Sequence, residues 1–547
     1  MSVPEAPLLR TLLTRAALAL AAALALSACQ PQTAQRPPCP AGKVCLEYGN
    51  GTEPETLDPQ KSNLVDESVI ISDLIMGLTT EAPDGSVAPG MARTWETSPD
   101  GLTWTFHLRQ ARWSDGAPIT ADDFVYAYRR ILEPETAAIY AYLVTIIKNG
   151  QAVNAGKAAP ETLGVRALGP QTLQITLEHP VAYLPQLLKH QSFFPVPRHV
   201  VERYGDAWVR PGHYVSNGPY RLVAWRLGDY IRVEKNPRFW DAAKVCIDRI
   251  NYYPTTDVVA AERRVARGEL DVNTSFQSNR ITRLRKTMGG YVRTHVTLAT
   301  SYMFFNTSGS SPFRDKRIRR ALSESIDRDF ITDKLLRAGQ KPAYAFVPPV
   351  IANYMPGPRL RWADKSLAER QAEARRLLAE AGFGPQNPLK FEIKASNDTE
   401  TQLVVQAIQA DWRTIGAEPA LVQNEFQVAA AAYRARDFDV APIGWIADYN
   451  DPVTFLDLLK SDTGAQNYGD YKNPAYDALL AQGAQEPDVV RRAQILARAE
   501  QVMLDDEAIA PFLFRVNRNL VSPRITGWVD NASNQHRARW LCMKPQS

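Results

Sequence analysis

Hydrophobic positions along this chain change their period several times, and each change predicts an element. At 102–109 the residues Trp104, Phe106 and Leu108 alternate with polar neighbours, which predicts a half-buried strand. Residues 173–177 repeat the alternation, and shorter strand-like runs occupy 44–48, 220–225, 230–233 and 250–253. Elsewhere the spacing is helical. Thr120 and Asp123 make a capping-box start, and Phe124, Ala127, Tyr128 and Ile131 follow on one face. Residues 68–78 and 260–268 also read as helices.

Past about residue 302, helices and strands alternate at wider spacing. Residues 315–338 hold two helices. Ser366 with Glu369 opens another that Gly382 closes, with Leu367, Ala374, Leu377, Leu378 and Ala381 on one side. Strands at 389–393, 419–423 and 438–443 bracket a helix at 401–415. That order predicts a parallel sheet with helices on both faces. A last helix at 489–504 leads into strands near Phe512 and Leu520. A chain of 547 residues is too long for one core, so two or more domains are expected.

The N-terminus changes the picture of where the protein works. Arg10 and Arg15 precede the apolar run 16–26, which ends in Leu26-Ser27-Ala28-Cys29. A basic flank, a short apolar core and small residues describe an export signal rather than a spanning helix. The ending resembles a bacterial lipobox. That implies a lipoprotein signal peptide over 1–28, cleavage before Cys29, and a lipid on Cys29 that anchors the exported protein on the periplasmic side of a membrane. Residues 29–41, rich in Gln and Pro, read as a tether. With Cys29 set aside, Cys39, Cys45, Cys246 and Cys542 are left in an exported protein, which points to disulfides with three possible pairings. Spacing favours Cys39 with Cys45, closing a local loop, and Cys246 with Cys542, tying a late segment to an earlier one.

Charge and motifs exclude several classes. A net charge of +4 is too small to argue for nucleic acid. There is no G-x-S-x-G elbow, no H-E-x-x-H and no phosphate-cradling loop, and the seven His are scattered. Asp122-Asp123 and Asp505-Asp506 are adjacent in sequence, so they face different ways on a helix. No enzyme, metal site or cofactor is expected.

One stretch carries candidate chemistry: Gly444-Trp445-Ile446-Ala447-Asp448-Tyr449-Asn450-Asp451-Pro452. It lies between the strand-like run 438–443 and a helix-like run at 453–459, where open α/β sheets place ligands. Asp448 beside Trp445 suits a ligand ammonium in a partly dry site. An acid in such a turn also suits a plain turn or helix-cap role.

Several segments occur in an order that resembles the solute-binding proteins of peptide ABC importers, oligopeptide-binding proteins in particular. They are Asn50-Gly51 through Thr56-Leu57-Asp58-Pro59, the block 100–132, Asn217-Gly218-Pro219-Tyr220, Arg238-Phe239-Trp240, Arg267-Gly268-Glu269-Leu270-Asp271, 312–321, and Trp445 through Tyr449. The resemblance runs from about 44 to 541. It implies an α/β fold of the bilobed periplasmic-binding type, with two mixed-sheet lobes and a cleft between them. Lobe I would comprise 42–76, 184–298 and 515–547, with 77–183 inserted, and lobe II would be 299–514. It implies a monomer that holds a peptide and delivers it to membrane permease subunits. Asp448 would hold the peptide ammonium. Gly444 would offer main-chain hydrogen bonds, and Trp445, Tyr140, Phe426, Tyr302 and Phe276 would line the cleft.

The sequence departs from that family at four places. A cysteine pair of the family falls at Ile446 and Ala299, and basic residues that can receive a peptide carboxylate fall near Tyr433 and Pro442. Arg434 and Arg436 stand close by. Asn63 takes the place of an acidic cleft residue.

Overall fold

The computed structural model describes residues 37–354 and 357–544. The signal segment 1–28, Cys29 and the first part of the tether lie outside the described residues.

The alternating segment forms the strand Thr103–Leu108, with Trp104, Phe106 and Leu108 buried. Ala92–Thr97 and Thr172–Thr176 flank it, Val165–Gly169 follows, and the four strands make an antiparallel sheet. The helix Ala121–Leu132 covers it. Both halves of its capping box are present, and the Thr120 N–H donates to the Asp123 carboxylate at 2.8 Å. Its apolar face carries Phe124, Ala127, Tyr128 and Ile131, all fully buried, because those positions recur at one turn of helix.

The larger sheet runs in the order Ala417–Asn424, Leu389–Ser396, Val440–Ile446, Val292–Phe305, Ile509–Val521, Val272–Asn273, Cys45–Gly49, Arg249–Tyr253, Tyr230–Lys235 and Tyr220–Arg226. The expected parallel arrangement holds for the three strands Ala417–Asn424, Leu389–Ser396 and Val440–Ile446. Beyond them it fails. Val292–Phe305 pairs antiparallel with both Val440–Ile446 and Ile509–Val521. The reason is connectivity. These long strands carry the chain into and out of the second half of the molecule, so they run in opposite directions side by side without a helical crossover. The two strands expected near Phe512 and Leu520 are one strand of 13 residues.

The pleat assigns the core. Along Val292–Phe305, Met303 and Phe305 enter one buried cluster with Phe391 and Trp412, while Tyr302 and Phe304 enter another with Phe346, Phe455 and Leu496. Successive side chains point to opposite faces, so both faces of this half-sheet are covered. A separate cluster contains Leu46, Phe106, Tyr128 and Trp208, and the late residues Ile525, Ala538 and Leu541 join it. The C-terminal segment therefore returns to the first half of the molecule. Arg537 pairs with Glu81 at 2.7 Å, and Cys542 is bonded to Cys246. Cys39 is bonded to Cys45. Both pairings match the expected ones.

Candidate functional site

The strand Val440–Ile446 extends three residues past its expected end. Gly444 and Trp445 therefore lie in the strand rather than on the turn after it. Gly444 stands opposite Ser301 in the ladder. A Cβ on Gly444 would come within 2.8 Å of the Arg515 guanidinium, so a larger residue requires that side chain to move. Ile446 pairs with Ala299, which places the two positions of the missing cysteine pair face to face.

After the strand the chain turns. The Ala447 N–H donates to the Leu298 carbonyl at 2.8 Å, and Thr454 Oγ1 accepts from both the Asp448 N–H and Trp445 Nε1 at 3.3 Å. The turn holds two acids with different duties. Asp451 takes the structural one. Its Oδ1 accepts from the Val453 N–H at 3.1 Å, and its carboxylate receives both Nη atoms of Arg492 at 2.7 and 2.9 Å in a buried, two-pronged pair. Among the described residues, Asp448 has no cationic partner. Its Oδ2 accepts from the Tyr142 hydroxyl at 3.0 Å. Burial pushes its carboxyl up to about 6, and the Tyr142 hydrogen bond opposes that shift. The turn role open to Asp448 in the sequence is thus filled by Asp451.

Tyr142 belongs to the short helix Ala141–Val144, far from Asp448 in sequence. Together the two segments enclose a cavity of about 410 Å³. One wall comes from Tyr142, Leu143, Tyr183 and Leu187, and the other from Trp445, Asp448, Tyr449 and Asp457. The walls touch where Tyr183 stacks on Tyr449, with ring centroids 5.2 Å apart and planes 4° from parallel. The Arg492 guanidinium lies 4.8 Å from the centre of the Tyr183 ring.

The expected site residues divide. Asp448 and Trp445 line the cavity. Tyr140 sits beside it. Its ring packs on His190 at 4.7 Å and leans on Tyr142, and burial, with Asp448 adding to it, pushes its hydroxyl up to about 12. The tyrosine on the acid is Tyr142, two residues further on. Tyr302 is corrected from a cleft residue to a core residue. Tyr302 packs edge-on against Phe346 at 5.0 Å, since its strand position points into a covered face. Phe276 lies outside this cavity, buried with Tyr253, Val265 and Leu284, and lines a separate crevice with Ser278, Leu336 and Leu403. Phe426 is exposed at the start of the helix Phe426–Ala435, and it lies outside the walls of this cavity. So does Asn63, whose N–H donates to Glu67 at 2.9 Å.

Of the positions tied to carboxylate recognition, Tyr433 is buried and donates its hydroxyl to the Lys394 carbonyl at 3.0 Å. Arg436 pairs with Asp470 at 2.9 Å. Sequence reasoning missed Tyr142, Tyr183, Tyr449 and Asp457. Tyr449 and Tyr142 each sit within two residues of a position it did single out. Tyr183 carried no local signal. Among the described residues, no group of three or more His, Cys, Asp or Glu is placed to hold a metal ion.

Comparison with known proteins identifies the family. Residues 86–467 match the family model of bacterial extracellular solute-binding proteins, family 5 Middle. The chain is 38% identical to the periplasmic oligopeptide-binding protein OppA of Salmonella typhimurium, over 89% of this chain and 90% of that one. It is 36% identical to the periplasmic murein peptide-binding protein MppA of Escherichia coli, over 88% of this chain and 89% of that protein. Among solved structures, the unliganded open form of the murein tripeptide-binding protein MppA superposes with a TM-score of 0.81 at 35% identity, covering 92% of this chain and 98% of the other. Haemophilus influenzae OppA in complex with the peptide RPPGFSPFR gives a TM-score of 0.77 at 35% identity, covering 92% and 99%. The chain belongs to the bacterial extracellular solute-binding proteins of family 5.

Proposed function

We propose that this protein captures oligopeptides in the cleft between two lobes, 42–298 with 515–547 and 299–514, and delivers them to an ABC permease in the membrane. One observation carries the reading. Asp448 is a crowded carboxylate whose side-chain partner among the described residues is a neutral tyrosine, set in the wall of a cavity that both halves of the chain build. A peptide ammonium supplies the missing cation. Its main chain then bonds to exposed backbone, while roomy, hydrated pockets take varied side chains. A closed form that contacts the ligand with both walls is stabilised by that ligand, which couples capture to delivery.

The test is calorimetry with a tripeptide and its N-acetylated form, alongside native mass spectrometry of the purified protein. The expected result is co-purifying peptides and a large loss of affinity on acetylation. Equal binding of the two forms refutes the ammonium role, and no binding of either refutes peptide capture.

The raised carboxyl of Asp448 sets the pH dependence. Receiving an ammonium requires the ionised form, whose population in the free protein falls as the pH drops through about 6. Tripeptide affinity is therefore expected to weaken between about pH 7 and about pH 5, approaching tenfold per unit at the acid end. The unliganded fold responds in the opposite sense. Its Asp448 holds a proton at a pH where the unfolded chain has lost it, so that residue's contribution to stability diminishes as the pH rises towards 6. Affinity unchanged at the acid end removes Asp448 from recognition.

We also propose that Cys29 becomes the lipid-bearing first residue of the mature, periplasm-facing protein. The support is the Leu26-Ser27-Ala28-Cys29 ending behind a basic, apolar leader. An intact mass equal to the chain from Cys29 plus its lipids is expected. A mass matching an unmodified Cys29 or another start site contradicts the anchor.

A further inference from the structure

Asp457 opens the short turn Asp457–Leu459 and lines the same cavity as Asp448. Thr463 donates to its main-chain carbonyl, but among the described residues no hydrogen bond or ion pair engages its carboxylate. The charges around it are otherwise accounted for. Arg492 is committed to the buried Asp451, and Lys460 pairs with Asp462 at 3.1 Å. His179 is the remaining basic side chain of the walls, and its Nδ1 lies 3.2 Å from the Pro180 carbonyl. Among the described residues, the cavity therefore holds two carboxylates, Asp448 and Asp457, that no cation pairs with directly.

They act as separate sites. Tyr142 acts on Asp448, whereas Lys460, Asp451, Arg492 and Asp462 act on Asp457. Asp457 is exposed on the cavity wall, so a cation held in the cavity can reach its carboxylate. The cavity that both acids line also has apolar and aromatic walls, with Leu143, Val453, Tyr449 and Leu480. Such walls suit an alkyl stem with a cation at its far end.

We propose that Asp457 selects peptides whose first residue is Lys or Arg. The α-ammonium sits on Asp448, the alkyl stem lies along the apolar wall, and the terminal cation reaches Asp457 directly or through water. The inference rests on the peptide reading above and names the ligand class that this chain favours.

Calorimetry near neutral pH with Lys-Ala-Ala, norleucine-Ala-Ala and Ala-Ala-Ala tests it. Norleucine keeps the alkyl stem and lacks the charge. The wild type is expected to bind the lysine peptide at least about fivefold more tightly than the norleucine peptide. That ratio should fall to near one in Asp457→Asn and invert in Asp457→Lys. Equal affinities in the wild type overturn the proposal, as does a lysine preference that survives Asp457→Asn. Failure of the wild type to bind any of the three peptides overturns the peptide reading itself and the proposal with it.

Discussion

Asp448→Asn is expected to weaken tripeptide binding at least tenfold. The substitution keeps the shape of the side chain and removes its charge. Asparagine oxygen can still accept from the Tyr142 hydroxyl, so the contact between the two walls survives. What disappears is the partner for the ligand ammonium, which is then taken out of water with no counter-charge. Breaking a fully buried ion pair in this way costs about 3–5 kcal/mol. Asp448 is partly open to solvent, which reduces the figure. About 1.4 kcal/mol remains as a lower bound, equivalent to one decade in Kd. Pairing the substitution with an N-acetylated peptide isolates the interaction, because acetylation should cost the variant much less than it costs the wild type. A thermal melt close to that of the wild type is expected as well. Calorimetry that returned the wild-type Kd for Asp448→Asn would remove the residue from recognition.

Arg492→Met is expected to destabilise the fold by about 3–5 kcal/mol, the largest effect on stability that we anticipate. Arg492 and Asp451 are both buried, and the guanidinium spans both carboxylate oxygens. Methionine fills much of the volume and leaves Asp451 charged, buried and alone. The same guanidinium lies on the Tyr183 ring, so its loss also loosens the stack with Tyr449. Denaturant melts measure the cost. Its pH dependence identifies the cause. In the native protein burial already pushes the Asp451 carboxyl up, against the pull of Arg492. Without Arg492 the carboxyl moves further up, so the folded variant takes up a proton and its deficit narrows as the pH falls. Asp451→Asn combined with Arg492→Met should recover part of the loss, because it removes the stranded charge. The single variant should also bind tripeptide more weakly, since the loop 447–452 that aims Asp448 hangs on this pair. A single variant as stable as the wild type would show that the pair does not hold the loop.

The local plan of the chain was legible in its residues, and the reasons are local. Thr103–Leu108 alternates because one face of that strand is buried, and the Ser366–Glu369 capping box forms because both halves of it lie within one turn of helix. Of the three disulfide pairings the sequence left open, the structure has the one that spacing favoured. Ordered motifs such as Trp445 through Tyr449 pointed to the family.

The tertiary structure decided what local pattern cannot encode. Asp448 and Asp451 stand three residues apart in one turn, and either could have been its structural acid. Arg492 settles that by arriving from a helix far along the chain and taking Asp451. Tyr140 and Tyr142 are separated by a single alanine, and only the approach of the opposite wall distinguishes the one that reaches Asp448. Tyr302 reads as a cleft aromatic until the pleat of a long shared strand turns it into a covered face. In each case the residue types allow two roles. The choice falls to a partner brought in from a distant segment, because burial and pairing of charge are properties of the assembled chain.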